Sequence, residues 1–231
     1  MEFEITQIYY ETPTIISVKF KKENINYRAG TYMVYLLDVQ DAKGNFRDFS
    51  FASSPTEDFI LISTRITGTP YKQKLASLKK DDKVSVKGPF GHFFFYPEKE
   101  AVMIAGGIGI TPFRSMTKYA IDSKLDTKIT LFYGSRTPEE IAFRKELYSW
   151  QKANPNFKVV NVISSIKDSK EQWNGLTGFI DEKIIRSNLN HLNNKLFYIC
   201  GPPPMVDAMF DLLKLIGVKE EDIRVEHFTG Y

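Results

Sequence analysis

Short runs rich in apolar, β-branched and aromatic residues, broken by polar turn residues, occupy the first ninety or so positions. These short runs predict strands over Phe3 to Tyr10, Ile15 to Phe20, Thr31 to Asp38, Phe46 to Ala52, Phe59 to Thr64 and Lys83 to Gly88. Turn signals such as Arg28-Ala29-Gly30 and Asp41-Ala42-Lys43-Gly44 separate them. Short strands at this spacing predict a small antiparallel β-barrel, which closes on itself and leaves no open edge. One helix interrupts them over Tyr71 to Lys79, with Pro70 suited to the first helical position and Leu75 and Leu78 on a common face.

Beyond Phe90-Gly91-His92-Phe93-Phe94-Phe95-Tyr96-Pro97 the pattern becomes strand then helix, repeated. Strands are predicted at Val102 to Ala105, Ile129 to Tyr133, Phe157 to Ile163 and Leu196 to Cys200. Helices are predicted at Pro112 to Ile121, at Pro138 to Gln151 with Phe143, Leu147 and Trp150 at helical spacing, and along the stripe from Met205 to Ile216. This alternation predicts an α/β domain with a parallel sheet covered on both faces and ligands at the carboxyl ends of its strands. The change of pattern near Glu98 to Glu100 divides the chain into domains 1–98 and 99–231.

Composition narrows the function classes. A chain of 231 residues, 42% hydrophobic and 26% charged, has the balance of a folded globular protein. A net charge of +3 gives no case for nucleic acid, although it allows transient docking of an acidic protein. One cysteine and three histidines offer no site for a metal, whether an iron-sulfur cluster or structural zinc. The acidic start Met1-Glu2-Phe3-Glu4 lacks the layout of a signal peptide, and Ala101 to Ile110 is too short to span a bilayer. The expectation is a cytoplasmic protein without membrane insertion.

Three runs carry candidate chemistry. Gly106-Gly107-Ile108-Gly109-Ile110-Thr111-Pro112 stands where a buried strand turns into a helix, so missing side chains can let a diphosphate reach backbone N–H groups. Its spacing is not the usual dinucleotide fingerprint, and a plain tight turn would use the same glycines. Cys200-Gly201-Pro202-Pro203-Pro204-Met205 repeats the strand-to-helix placement with a stiff turn and a polarisable thiol, or else a buried structural cysteine. Arg47-Asp48-Phe49-Ser50 offers a guanidinium for phosphate and a small hydroxyl for an aromatic ligand. Period two puts Arg47 and Ser50 on opposite faces, so a bend or strand end is needed for both to touch one ligand. Gly68, Thr69 and Lys72 lead into the first helix, where a diphosphate site and an ordinary cap read alike. The terminal Glu226 and Phe228 would point the same way on a strand.

Taken in order, these runs resemble the ferredoxin-NADP reductase superfamily over essentially the whole chain. The resemblance implies a flavin-binding antiparallel barrel followed by a nicotinamide-binding α/β domain, with FAD and either NADP or NAD as cofactors. Arg47 matches the arginine on the flavin phosphate, Phe49 replaces the family's tyrosine against the flavin, and Ser50 stands near flavin N5. Gly88-Pro89-Phe90-Gly91 matches a family turn, and Gly68, Thr69 and Lys72 match the diphosphate segment, which favours FAD over FMN. The turn holding Gly106, Gly107, Gly109, Thr111 and Pro112 matches the nicotinamide-domain turn. Ser135 and Arg136 match the adenosine-side loop, and Cys200, Gly201 and Pro202 the turn beside the nicotinamide. Glu226 matches the active-site acid and Phe228 the aromatic over the flavin, a place Tyr231 could also take. Ser50, Cys200, Glu226 and Phe228 are therefore the catalytic candidates for hydride transfer.

The leading expectation is a reductase passing electrons from NAD(P)H to a separate ferredoxin, flavodoxin or oxygenase component. A reductase of diffusible flavin is the alternative suggested by Phe49, and a subunit of a larger electron-transfer complex is the third. Since no acidic residue immediately follows Tyr133-Gly134, the sequence leans to NADPH, with Ser135, Arg136 and Lys167 as candidate 2'-phosphate contacts.

Overall fold

The computed structural model describes residues 1–229, which form two compact units. One unit comprises Met1–Phe95 and Thr111–Ser123, the other Tyr96–Ile110 and the described residues from Lys124 onward.

In the first unit, six antiparallel strands run β1 (Glu2–Thr12), β2 (Ile15–Lys21), β3 (Tyr32–Leu36), β4 (Phe46–Ser50), β5 (Phe59–Arg65) and β6 (Lys83–Phe90), in the order β4-β3-β6-β1-β2-β5. The two end strands meet just past β4, where the N–H groups of Ala52 and Ser53 donate to the Leu61 carbonyl at 2.8 and 3.3 Å. That join makes the sheet a barrel. Strand β1 serves two neighbours. Its start pairs with β6 (Phe3 opposite Val84), and after Ile5 it pairs with β2 through two register shifts. The interior is aromatic, with Phe20 stacked on Tyr35 at 5.7 Å and Phe3 tilted against Phe20 at 5.8 Å.

Helix α1 (Pro70–Ser77) sinks Tyr71 and Leu75 into this core, and the Tyr71 hydroxyl donates to the Tyr35 carbonyl at 2.8 Å. Helix α2 (Ile110–Asp122) also groups with the barrel from Thr111 onward, whereas the pattern along the chain placed everything after 99 in the second domain. The physical reason is a buried polar clamp. Arg114 donates to the Ala52 carbonyl at 2.7 Å and to both oxygens of Glu57 at 3.0 and 3.3 Å, while the Ser115 hydroxyl donates to the Ser53 carbonyl at 2.6 Å.

The second unit is a six-stranded parallel sheet of β7 (Glu100–Gly106), β8 (Ile129–Ser135), β9 (Phe157–Ile163), β10 (Leu176–Thr177), β11 (Lys195–Gly201) and β12 (Ile223–His227). Its order is β10-β9-β8-β7-β11-β12. The chain moves outward from β7 to β10, then crosses back to lay β11 on the other side of β7, so the topological switch point lies between β7 and β11. Val102, Ile104, Phe132, Val160, Phe197 and Ile199 form its apolar core together with residues of the helices α4 (Glu182–Asn188) and α5 (Pro203–Leu215).

The helix expected over Pro138 to Gln151 is broken. A single 3₁₀ turn at Pro138–Glu140 precedes α3 (Arg144–Ala153), and Phe143 starts α3 in a left-handed conformation with φ 57°. Three successive buried side chains, Ile141, Ala142 and Phe143, outweigh helical periodicity there, and the Tyr133 hydroxyl accepts the Ala142 N–H at 3.2 Å. The short β10 and α4 left no periodic signal long enough to predict. Among the described residues, no helix is long and apolar enough to cross a membrane.

Candidate functional site

In the barrel, β4 carries the first group of candidates. Arg47 pairs across β3 with Tyr35 and Phe49 with Met33, so Arg47 and Phe49 share the inward face while Ser50, opposite Tyr32 at the strand's end, alternates to the other face. Phe49 is buried. Its ring packs on Tyr35 and Tyr71 at 5.6 and 6.2 Å, so the aromatic expected against a ligand is a member of the barrel core. Lys72 on α1 lies over that ring, its Nζ 4.6 Å from the centroid, and the Arg47 guanidinium lies over Tyr71 at 4.7 Å. The structure thus brings Arg47, Phe49, Tyr71 and Lys72 together at one end of the barrel.

Lys72 is only 5% exposed, and its Nζ donates to the Thr64 hydroxyl. Burial, with Arg47 nearby as a second cause, lowers its pKa to about 8. A buried ammonium held by a hydroxyl instead of a carboxylate, beside a second cation, suits an anionic group. Helix α1 begins here, with Thr69 as its N-cap accepting the Lys72 N–H at 3.4 Å. At Gly68 an added Cβ would meet nothing within 4 Å, so this side of the segment is open.

One partner in this cluster was hidden in the sequence. Asp41, from the turn between β3 and β4, accepts from Arg47 at 2.6 Å and from the Tyr71 N–H at 3.0 Å. The Tyr71 and Lys43 N–H groups, with Arg47 adding to them, hold its carboxyl down to about 2. The Asp41-to-Gly44 run signals a turn, but nothing local announces that its carboxylate reaches α1.

In the second unit, the candidates gather at the carboxyl edge of β7 and β11. Gly109 stands against the end of β11 so closely that a Cβ there would lie 2.3 Å from the Cys200 carbonyl oxygen. A Cβ on Gly201 would fall 3.2 Å from the Gly106 backbone, and one on Gly106 would press Pro202 at 3.1 Å. Gly107, with φ +52°, has open space on its side-chain face. Gly106, Gly109 and Gly201 thus let the turn pack closely against the end of β11, and Gly107 alone among these glycines leaves its side-chain face open, where a ligand phosphate could approach the backbone. Thr111 and Pro112 continue the turn into α2, Thr111 being fully buried.

Cys200 is buried, and burial first, then the Glu226 carboxylate, pushes its thiol well above the ordinary range. It is a neutral thiol, suited to packing against a ring and unsuited to attack as a thiolate. Glu226 sits opposite Cys200 in the β11–β12 register, and the Phe228 N–H donates to the Gly201 carbonyl at 2.9 Å, so both terminal candidates join Cys200 and Gly201 at this edge. Tyr231 lies outside the described residues.

At the end of β8, Ser135 is buried and its hydroxyl has no hydrogen-bond partner, an orphan suited to a ligand hydroxyl. Arg136 is paired with Asp168 at 2.8 Å, an acid 32 residues further along the chain. Among the described residues, no group of three or more His, Cys, Asp or Glu could hold a metal ion.

Comparison with known proteins finds similarity in sequence and in fold. The oxidoreductase NAD-binding domain family matches residues 103–211. The F component of the Na(+)-translocating NADH-quinone reductase of Pseudoalteromonas atlantica is 31% identical over 236 residues, covering 92% of this chain and 57% of that protein. Its counterpart in Haemophilus influenzae is 36% identical over 202 residues, covering 80% of this chain and 48% of its own length. The chain thus spans about half the length of these curated relatives. A ferredoxin NADP+ reductase from Neisseria gonorrhoeae, solved with bound FAD and NADP, superposes with a TM-score of 0.81 at 21% identity, covering 98% of each chain.

Proposed function

We propose that this chain, with its oxidoreductase NAD-binding domain match over residues 103–211 and a fold shared with a ferredoxin NADP+ reductase, oxidises NAD(P)H with an FAD held on the barrel and hands the electrons to a redox partner. The observation that carries the reading is the glycine turn at the switch point, where Gly109 packs against the end of β11 and Gly107 is open on its side-chain face. When bound, the flavin supplies acceptance of hydride from nicotinamide and release of electrons one at a time.

The chain's own residues divide the remaining work. Arg47, Lys72 and the start of α1 would hold the flavin's phosphates, and Ser50 would hydrogen-bond its ring. The 106–112 turn, with Gly201 and Pro202, would hold the dinucleotide diphosphate, and Ser135 and Arg136 would meet its adenosine side. Cys200 would pack beside the nicotinamide as a neutral thiol. Glu226 would manage charge or a proton, and Phe228 would cover the ring until nicotinamide enters.

For the dinucleotide the reading favours NADH. Arg136, which would meet a 2'-phosphate, already has its charge matched by Asp168, and that carboxylate would repel the added anion. This proposal departs from the lean to NADPH taken from the sequence, on the ground that Asp168 lies beside Arg136.

For the acceptor, the names of the curated relatives favour an electron-input component of a larger assembly over a reductase of free ferredoxin or flavodoxin. The test is anaerobic titration of the purified chain, with added FAD, by NADH and by NADPH while the flavin absorption is followed. Bleaching by NADH at lower concentration than by NADPH is the expected result. A flavin band unchanged by either dinucleotide would overturn the reading.

A further inference from the structure

Helix α1 begins with Pro70, which has no N–H to offer. The Tyr71 N–H donates to Asp41 Oδ2 at 3.0 Å, the Lys72 N–H to Thr69 Oγ1 at 3.4 Å and the Gln73 N–H to the Thr69 carbonyl at 3.0 Å. The Tyr71, Lys72 and Gln73 N–H groups of the first turn, where a phosphate would bind, are thus already engaged. The neighbouring cation is engaged as well. Arg47 Nη2 donates to Asp41 Oδ1 at 2.6 Å, and its Nη1 donates to the carbonyls of Lys43, Gly44 and Phe46 at 3.1, 2.9 and 2.6 Å.

One side chain links the two donor sets. The Asp41 carboxylate spans Arg47 and the helix start, the two groups a phosphate oxygen pair would span, and its side chain is 3% exposed. A carboxylate and a phosphate cannot both accept from the single Tyr71 N–H, and two anions sharing Arg47 repel. Asp41 sits in a four-residue turn whose Gly44 N–H donates to its carbonyl at 2.9 Å, and Ala42 and Lys43 beside it are exposed. The carboxylate is thus carried by a turn outside the barrel strands, where replacing it leaves the strand pairing untouched.

We propose that Asp41 is an internal competitor for the phosphate of a flavin, a residue that weakens the barrel's hold on phosphorylated flavins by occupying Arg47 and the Tyr71 N–H. This rests on the reading of the barrel as the flavin site. Flavin affinity is then set by an exchange of anions, and the Asp41–Arg47 pair must open for each phosphorylated flavin that enters.

The test uses the full chain freed of flavin, with FMN, FAD and riboflavin titrated by fluorescence, and inorganic pyrophosphate by calorimetry. Asp41→Asn keeps the shape and removes the charge. It should bind FMN and FAD about tenfold more tightly, bind pyrophosphate more tightly than the parent, and leave riboflavin, which has no phosphate, unchanged. Asp41→Ala provides a second variant, with thermal melting to establish that both are folded. Unchanged or weaker binding of FMN, FAD and pyrophosphate would overturn the proposal, as would equal tightening of riboflavin. Absence of flavin binding in every variant, with pyrophosphate still tightened by Asp41→Asn, would sink the flavin reading of the barrel while sparing the anion exchange.

Discussion

Gly109 and the Cys200 carbonyl are in contact with no space between them for a side chain: a Cβ would come within 2.3 Å of the oxygen. Both partners are backbone, so Gly109→Ala must shift either the turn or the end of β11. The expected result is a lower melting temperature and a KM for NADH raised at least about tenfold, from displaced N–H donors at the diphosphate. Steady-state kinetics and a melting curve check both.

Lys72 is destabilising to the barrel when charged. Its folded pKa of about 8 lies below the ordinary 10.5, so between those values the unfolded chain holds a proton the folded chain has released, and stability rises with pH across that window. At pH 7, Lys72→Met should stabilise the flavin-free chain by on the order of 2 kcal/mol in urea melts while weakening FAD binding. In the parent, FAD affinity should fall as pH rises above about 8, and in Lys72→Met that dependence should vanish.

Arg114 and Glu57 form a buried pair, 3% and 9% exposed at their side chains. Removing the cation alone leaves a buried carboxylate, so Arg114→Met should cost about 3–5 kcal/mol in denaturant unfolding. The double variant with Glu57→Met should recover much of that loss, which a double-mutant cycle measures.

Cys200 is a buried neutral thiol, and Cys200→Ala should slow flavin reduction by NADH about tenfold in stopped flow with the flavin still bound. Alkylation of the parent should be slow in buffer and fast in urea. An unchanged reduction rate in Cys200→Ala would remove it from the site.

Much of the molecule was legible along the chain because strands and buried helix faces leave periods of two and 3.6. The strands β2 and β9 are predicted to within one residue at their ends, and Thr69-Pro70 marks the start of α1 through local cap chemistry. The break before α3 was not legible. Phe143 fits a helical face as well as it fits the buried left-handed position it takes, and only the surrounding core distinguishes them.

The candidate site divides in the same way. Glycines 106, 107, 109 and 201, the Arg47-to-Ser50 run and Cys200 declare themselves because bare backbone and special side chains are local properties. Asp41 on Arg47, Asp168 on Arg136 and Glu57 on Arg114 do not, since each acid meets its arginine through a fold that joins distant segments. The amino-acid sequence by itself determined an antiparallel barrel, a parallel sheet and the turns that hold the candidate residues, through periodicity and backbone freedom. Tertiary structure alone decided which charges are matched and which buried cation, Lys72, is left to a hydroxyl, because electrostatic pairing depends on distance in space and not on spacing along the chain.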